Sequence, residues 1–272
     1  MKKILSILMI LTAGAAFAQS GRDITVVSRE SGSGTRSAFI ELTGVEARTA
    51  DGRRDMTSKE AIITNKTDVM MSSVAGNPLA IGYISLGSLN NKVKALNIDG
   101  AAPTAENIKN GSYRLARPFN IALSTKAKSE AQDFINFILS NEGQAVVADG
   151  YLPVATHTTF TSAKPSGRIT VAGSSSVTPV MERLKEAYNK INPALKIEIQ
   201  QSDSSTGMQA AMNGTCDIGM ASRDLSAKEL EVLTSIEIAV DGIAVIVNNT
   251  NTVSALSMSE LKEIFTGAKA RW

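Results

Sequence analysis

Short apolar runs alternate with amphipathic stretches along most of the chain. Runs of Val, Ile and Ala are typical of buried strands, and apolar residues at helical spacing are typical of helices that pack on a sheet. The runs that predict strands are residues 24–27, 81–86, 119–123, 169–172, 195–199, 217–221 and 242–247. The stretches that predict helices are residues 36–43, 67–75, 129–147, 177–191, 208–213 and 257–265. This alternation predicts an α/β fold, with residues 45–66 as a polar loop.

Small residues follow three of the predicted strands, at residues 31–35, 173–176 and 202–207. Each turn precedes a predicted helix, whose free N–H groups and positive dipole end favour an anion. Serine at a helix start is usually no more than an N-cap, and this alternative stands for any single turn. Three such turns at the carboxyl ends of strands can instead face one cleft and surround a tetrahedral anion.

The turn at residues 31–35 has the strongest anion-binding pattern. Ser33 and Thr35 supply hydroxyl groups, and Arg29 and Arg36 flank the turn. A guanidinium group binds an oxyanion through two parallel hydrogen bonds. The residue types at this turn therefore predict an oxyanion site.

Two nucleotide-binding signatures are close to this turn and do not fit it. A P-loop needs a lysine after its last glycine, and here Thr35 follows Gly34. A dinucleotide fingerprint needs a third glycine where Ser37 stands, although Asp51 and Asp55 follow roughly 20 residues later. The sequence therefore favours a site for a small anion over a nucleotide site.

Rare residue types exclude several functions. Aromatic residues make up only 4% of the chain, which argues against stacking platforms and so against a nucleic-acid partner. His157 is the single histidine and Cys216 the single cysteine, so we expect no disulfide, no metal site and no cofactor. We expect Cys216 to be a buried, inert thiol and His157 to lie in a linker. A hydrolase would need an activating base or a metal beside its nucleophile, and none accompanies the serine-rich turns.

Residues 1–18 have the features of a secretory signal peptide. Lys2 and Lys3 precede an apolar run, and an Ala-x-Ala cleavage pattern ends at Ala18. Without these two lysines the chain carries 26 basic and 26 acidic residues, so it has no polyanion-binding excess. No cysteine follows the cleavage pattern to carry a lipid, and no later stretch is apolar enough to span a bilayer. We expect a periplasmic protein.

The segment SRESGSGTR, residues 28–36, resembles the central binding motif of the phosphate-binding proteins that serve Pst-type ABC transporters. Other segments that resemble this family are residues 77–87, 106–119, 133–144, 150–153, 172–188, 204–225, 241–248 and 261–267. The resemblance covers nearly the whole chain after the signal peptide. In the family, however, the segment like residues 169–272 comes first and the segment like residues 24–154 second. The chain therefore resembles a circular permutant of the family's fold.

The resemblance implies a two-lobed periplasmic-binding-protein fold, type II-like and circularly permuted. One lobe would contain residues 21–118 together with 248–272, and the other residues 119–247. Residues 119–123 and 242–247 would be the two strands that cross between the lobes. Residues 155–167 would be an exposed connector between what are chain ends in the family, and Gly21 would lie close to Trp272.

The resemblance also implies a set of phosphate-binding residues. An arginine before the glycine-rich turn clamps phosphate in the family, and the turns on both lobes donate to it. The matching residues here are Arg29, Ser33, Gly34, Thr35, Ser175, Ser176 and Ser205, with Ser204 as the neighbour of Ser205. Ser222 stands where some members have an aspartate that accepts a proton from phosphate. Asp203 is a candidate substitute for that acceptor.

The function implied by the resemblance is high-affinity binding of inorganic phosphate in the periplasm, for delivery to the membrane permease of an ABC transporter. We expect a monomer with no catalytic activity. Two alternatives remain open on the sequence. The protein could bind another tetrahedral oxyanion such as sulfate or molybdate, or it could hydrolyse phosphate esters.

Overall fold

A computed structural model describes residues 23–50, 52–124, 127–155 and 158–272. The predicted signal peptide, Gly21 and His157 lie outside the described residues. The strands are β1 (Thr25–Arg29), β2 (Glu46–Thr49), β3 (Gly52–Asp55), β4 (Ile62–Thr64), β5 (Ala80–Ser85), β6 (Val93–Ala95), β7 (Asn97–Ile98), β8 (Ala116–Ser124), β9 (Leu152–Pro153), β10 (Gly167–Ser174), β11 (Leu195–Ser202), β12 (Ile218–Ala221), β13 (Leu233–Asn248) and β14 (Ala255–Leu256). The helices are α1 (Gly34–Thr43), α2 (Thr67–Ala75), α3 (Ala105–Lys109), α4 (Ser129–Ile138), α5 (Asn141–Val147), α6 (Thr178–Ile191), α7 (Ser204–Asn213), α8 (Ala227–Leu230) and α9 (Met258–Thr266), with a 3₁₀ turn at Leu86–Ser88. Within these residues, no helix is both long enough and apolar enough to cross a membrane.

One mixed sheet runs through the molecule in the order β11-β10-β12-β8-β13-β5-β1-β4. The outer ladders are parallel: β10 pairs with β11 and β12, and β1 pairs with β4 and β5. The strands β8 and β13 lie antiparallel to each other in the middle of the order. The α/β class predicted from the alternation of apolar runs and amphipathic stretches is confirmed.

The strand β13 is longer than the sequence predicts. It has 16 residues, and only its second half is an unbroken buried run. Its first part pairs with β8 as far as Gly242, which lies opposite Ala116. From Ile243, which lies opposite Ser85, its partner is β5. One strand therefore joins the two parallel ladders, and its partner changes between two adjacent residues.

The buried apolar side chains form two main groups, one on each side of the β8–β13 pair. One group draws on residues 119–239 and includes Phe134, Leu184 and Tyr188. The other draws on residues 26–115 and 243–265. In the second group Phe39 stacks on Tyr83, with ring centroids 4.0 Å apart. Each parallel ladder thus has its own core.

Two predicted helices differ in the structure. The predicted helix 129–147 is broken into α4 and α5, because the Ser140 hydroxyl accepts the Gly143 N–H and starts a second helix. The helix predicted to begin at residue 208 begins at Ser204, because the Asp203 carboxylate caps it by accepting the Thr206 N–H at 2.9 Å. The polar segment 45–66, predicted as a loop, contains the β2–β3 hairpin and the edge strand β4.

The two ends of the described chain meet on the surface. Asp23 and Arg271 form an antiparallel bridge, and the Ile24 N–H donates to the Ala270 carbonyl oxygen at 2.8 Å. In the predicted connector, most described residues are exposed. Phe160, Ser162 and Pro165 are half-buried, and the Phe160 ring packs edge-on against Phe137.

Candidate functional site

Buried hydroxyl groups from the three predicted turns meet between the two cores. We call this group the hydroxyl cluster; its members are Thr35, Thr67, Ser174, Ser175, Ser176, Ser204 and Ser222, and all of them are buried. Thr35 lies in the first turn of α1, and Thr67 begins α2. The serines come from the end of β10, the turn after it, the start of α7 and the residue after β12. Elements from both ladders therefore supply one polar site.

The guanidinium of Arg29 lies beside this cluster and is 1% exposed. Its Nη2 donates to Ser175 Oγ at 3.0 Å, and its Nη1 donates to Thr67 Oγ1 at 3.4 Å. The Glu30 carboxylate accepts from Nε at 2.8 Å and from Nη2 at 2.7 Å. This two-point contact fixes the plane of the guanidinium and leaves its other edge turned toward the hydroxyls.

Thr35 links the hydroxyls of both halves. Its Oγ1 lies 2.8 Å from Ser176 Oγ and 3.4 Å from Ser222 Oγ. A second buried guanidinium, that of Arg117, donates to the same oxygen through Nη2 at 3.0 Å. The sequence analysis did not single out Arg117.

Ser222 and Ser204 complete the far side of the cluster. Ser222 Oγ accepts from Ser174 Oγ at 3.0 Å, and the Ser222 N–H donates to Ser204 Oγ at 3.1 Å. Gly34 packs directly against this pair. A β-carbon at that position would overlap Ser204 Oγ and lie 2.8 Å from Ser222 Oγ. Only glycine allows the start of α1 to approach the start of α7 this closely.

Two predicted site residues have side chains engaged elsewhere. Ser205 is exposed, and its Oγ accepts only a long contact from Arg223 Nη2 at 3.4 Å. Its N–H donates to the Gly32 carbonyl oxygen at 3.1 Å. Ser33 is buried, but its Oγ caps α1 by accepting the Arg36 N–H at 3.3 Å. The structure thus brings Ser204, not Ser205, into the cluster.

Asp203 and Arg36 also have partners outside the cluster. The carboxylate oxygens of Asp203 accept from the Thr206 N–H and from Thr206 Oγ1, the second at 2.7 Å. Arg36 pairs with Asp55 at 2.7 Å, and its Nη1 donates to the Arg29 carbonyl oxygen. These contacts hold the starts of α1 and α7 in place.

Three members of the site escaped the sequence analysis. Thr67 is distant along the chain from every serine-rich turn, so only its position at a predicted helix start could have marked it. Ser174 directly precedes Ser175 and Ser176 and could have been included with them. Arg117 comes just before the predicted strand 119–123, which is a signal in itself because an arginine is almost never fully buried unless it has a partner.

The chemistry of the site is that of hydrogen-bond donation to a small anion. It offers a guanidinium, several hydroxyls and the start of α1, where a helix favours negative charge. Among the described residues, no group of three or more His, Cys, Asp or Glu could hold a metal ion. Cys216 is buried away from the cluster, as predicted, and burial raises the pKa of its thiol to about 11.

The comparisons with known proteins give one consistent relationship. The model of the PBP superfamily domain matches residues 9–142 and 158–272. The phosphate-binding protein PstS 2 of Streptococcus agalactiae serotype V is 52% identical over 253 residues, which cover 92% of this chain and 86% of that protein. PstS of Bacillus subtilis is 35% identical over 139 residues, or 49% of this chain and 43% of that protein.

A crystal structure supports the same relationship. It is that of a phosphate-binding protein of a phosphate ABC transporter from Streptococcus pneumoniae TIGR4, which is 48% identical, with 92% of this chain and 98% of that chain covered and a TM-score of 0.72. The resemblance stated from the binding motif is confirmed. The chain belongs to the PBP superfamily and, within it, to the family of the PstS phosphate-binding proteins.

Proposed function

We propose that the protein binds inorganic phosphate and serves as the substrate-binding component of a phosphate ABC transporter. The single observation that carries this proposal is the meeting of the Arg29 guanidinium with buried hydroxyls from both cores. A tetrahedral anion accepts hydrogen bonds in several directions at once, and this site supplies donors on opposite sides. The names of the relatives at 52% and 48% identity support phosphate as that anion.

The roles of the individual residues follow from their positions. Arg29 neutralises the anion and donates to two of its oxygens. Gly34 and Thr35 offer backbone N–H groups at the start of α1, where a helix favours negative charge, whereas the Ser33 N–H donates to the Glu30 carbonyl oxygen at 3.0 Å. The hydroxyls of Thr35, Ser175, Ser176 and Ser222 donate from the two sides, and Ser204 takes the role that the sequence assigned to Ser205.

The two cores are proposed to act as lobes that close on the anion. One lobe contains residues 21–118 with 248–272, and the other contains residues 119–247. The strands β8 and β13 are the connections between them, so relative motion of the lobes bends this pair. The lobes of a monomer suffice for the site, because each of its members lies on this chain.

Delivery requires a membrane partner and an extracytoplasmic location. We propose that residues 1–18 direct secretion and are removed. The phosphate-loaded protein would then dock on the permease of the transporter. The PstS names of the relatives support this placement.

The order of segments is proposed to be a circular permutation relative to part of the family. The Streptococcus agalactiae relative matches along 92% of the chain, whereas the Bacillus subtilis relative matches along 49%. A half-length match is expected where two halves occur in opposite order, because one alignment can follow only one of them. The bridge between Asp23 and Arg271 supports this proposal, since the present ends lie close enough to have been joined.

Calorimetric titration of the mature protein with phosphate, sulfate and molybdate tests the function. We expect one phosphate per protein and weaker binding of the other two anions. Arg29→Met should weaken phosphate binding tenfold or more, because a charge-assisted contact is worth about 1.5–3 kcal/mol. Arg168→Met, at an exposed arginine paired with Glu198, is the matched control and should bind like the parent. Absence of heat with millimolar phosphate would overturn the proposal.

We propose that binding occurs without hydrolysis. The carboxylate of Glu30 accepts two hydrogen bonds from the Arg29 guanidinium, and these contacts make it a poor general base. Turnover of a chromogenic phosphate ester that disappears in Ser176→Ala would contradict this proposal.

A further inference from the structure

We propose that Arg117, held in place by Asp241, is a positioning residue for the phosphate site. On this proposal it directs the Thr35 hydroxyl so that the hydrogen of that group is presented to the bound anion. The inference rests on the proposed phosphate-binding function. It concerns two charged residues, neither of which belongs to the binding motif.

The pair lies on the two strands that join the cores. Arg117 on β8 and Asp241 on β13 are directly opposite in register. The Arg117 Nη2 lies 3.2 Å from Asp241 Oδ2, and the side chains are 2% and 0% exposed. Because both residues belong to the central ladder, the guanidinium is anchored to the connection between the lobes and not to either core alone.

Surrounding groups fix the pair in one orientation. Asp241 Oδ1 accepts the Gly87 N–H at 3.2 Å, which ties the carboxylate to the 3₁₀ turn. The Arg117 guanidinium lies over the Phe119 ring, 5.4 Å from its centroid. The charged and titratable groups that act on the pair from its other sides are Arg29, Tyr83 and Tyr151.

The contact with Thr35 has a definite polarity. A guanidinium has donors and no acceptor, so Thr35 Oγ1 can only accept from Arg117 Nη2. The hydrogen of the Thr35 hydroxyl is then left for another acceptor. The oxygens within reach are Ser176 Oγ at 2.8 Å and Ser222 Oγ at 3.4 Å, both on the far side of the cluster. An oxygen of phosphate lying between Thr35 and these serines would receive that hydrogen.

The Arg117–Asp241 pair is not well suited to stabilise the fold. Arg117 Nε and Nη1 are buried and have no hydrogen-bond partner among the described residues. A buried ion pair of this kind is often no more stabilising than apolar side chains of similar size. Two apolar side chains would stabilise the pairing of β8 with β13 equally well, but they could not orient the Thr35 hydroxyl.

A double-mutant cycle tests the inference by calorimetry with phosphate. Arg117→Gln should weaken binding about tenfold or more, because a hydrogen bond from a charged donor orients the hydroxyl. In a Thr35→Val background, which has no hydroxyl to direct, Arg117→Gln should cause little further loss. In a Thr35→Ser background, which keeps the hydroxyl, the loss should return. If Arg117 acted on stability alone, Arg117→Gln would cause the same loss of phosphate affinity in both backgrounds.

Arg117→Gln leaves the Asp241 carboxylate buried without its partner and can prevent folding. The variant that carries Arg117→Gln together with Asp241→Asn has no unpaired charge and is used in the same cycle. Equal losses in the Thr35→Val and Thr35→Ser backgrounds would overturn the positioning role. A parent protein that binds no phosphate would overturn the proposed function, and this inference with it, so the two failures are distinguishable.

Discussion

Gly34 and Ser204 are in such close contact that no side chain fits between the start of α1 and the start of α7. The helices α1 and α7 follow strands of different parallel ladders, so this contact holds the hydroxyl cluster together. Gly34→Ala should push the two helix starts apart and weaken phosphate binding by at least tenfold. Calorimetry checks the affinity, and thermal unfolding checks that the variant is folded.

A matched control for this substitution is Gly76→Ala. Gly76 has helical backbone angles, and the nearest atom to an added β-carbon would be the Ser72 carbonyl oxygen at 3.3 Å. We expect Gly76→Ala to leave phosphate binding unchanged. Unchanged affinity in Gly34→Ala would mean that the close approach is not needed for binding.

Alanine substitutions of the two adjacent serines at the start of α7 should have very different effects on phosphate binding. Ser204 is buried and accepts the Ser222 N–H, whereas Ser205 is exposed. Ser204→Ala should weaken phosphate binding about tenfold, since it removes a donor and leaves a buried N–H without its acceptor. Ser205→Ala should have little effect in the same titration. A larger loss in Ser205→Ala would restore the assignment made from the sequence.

Asp203 should contribute to stability and not to anion selectivity. Its carboxylate caps α7 through Thr206, so Asp203→Ala should lower the free energy of unfolding by about 1 kcal/mol. Asp203→Asn keeps a capping oxygen and should preserve both stability and the ratio of phosphate to sulfate affinity. A fall in that ratio in Asp203→Asn would identify Asp203 as the proton acceptor that replaces the aspartate expected at Ser222.

The stability of the protein should carry a pH dependence that comes from Asp241. Burial raises the pKa of its carboxyl to about 6, above the ordinary value of 3.8. The folded protein binds this proton more tightly than the unfolded chain does. The stabilisation of the folded state by the protonated carboxyl is therefore fully present below about pH 4 and is lost as the pH rises through about 6. The difference in unfolding free energy between the parent and Asp241→Asn should fall between about pH 4 and about pH 7. Denaturant unfolding at several pH values checks this, and a difference that rises with pH would contradict the direction of the pKa shift.

Restoring the other order of segments should preserve binding. Joining Trp272 to Asp23 by a short linker and opening the chain between Thr161 and Lys164 leaves every strand–turn–helix unit intact. The rearranged protein should fold and bind phosphate with an affinity close to that of the parent. Opening the chain inside β10 is the control. It should abolish folding, because β10 is largely buried and pairs with both β11 and β12. A rearranged protein that does not fold would contradict the proposed permutation.

The sequence predicted the elements of the site better than the direction of its side chains. The first turn was predicted correctly as a helix start, because Ser33 and Gly44 are a typical beginning and end for a helix. The choice between Ser204 and Ser205 depends on where α7 begins, and a shift of one residue rotates a helical side chain by about 100°. That start is set by the Asp203 cap and by contact between Gly207 and Gly173, whose Cα would lie 2.5 Å from an added β-carbon.

The long-range partners could not be predicted from local patterns. Thr67 and Arg117 reach the cluster from elements that carry no serine-rich turn, and only the sheet order brings them to it. The pairing of Arg117 with Asp241 depends on the register of β8 and β13. That register includes an irregularity between Glu237 and Ala239, which no local pattern indicates.

The change of partner along β13 has a mechanical consequence. Gly242 pairs with β8 and Ile243 with β5, but the Ile243 N–H also donates to the Leu115 carbonyl oxygen next to β8 at 2.7 Å, so the two hydrogen-bonded assemblies share this residue. A rotation of the proposed lobes against each other would therefore strain Ile243 first, and it would reach the ion pair of Asp241 with Arg117 two residues away.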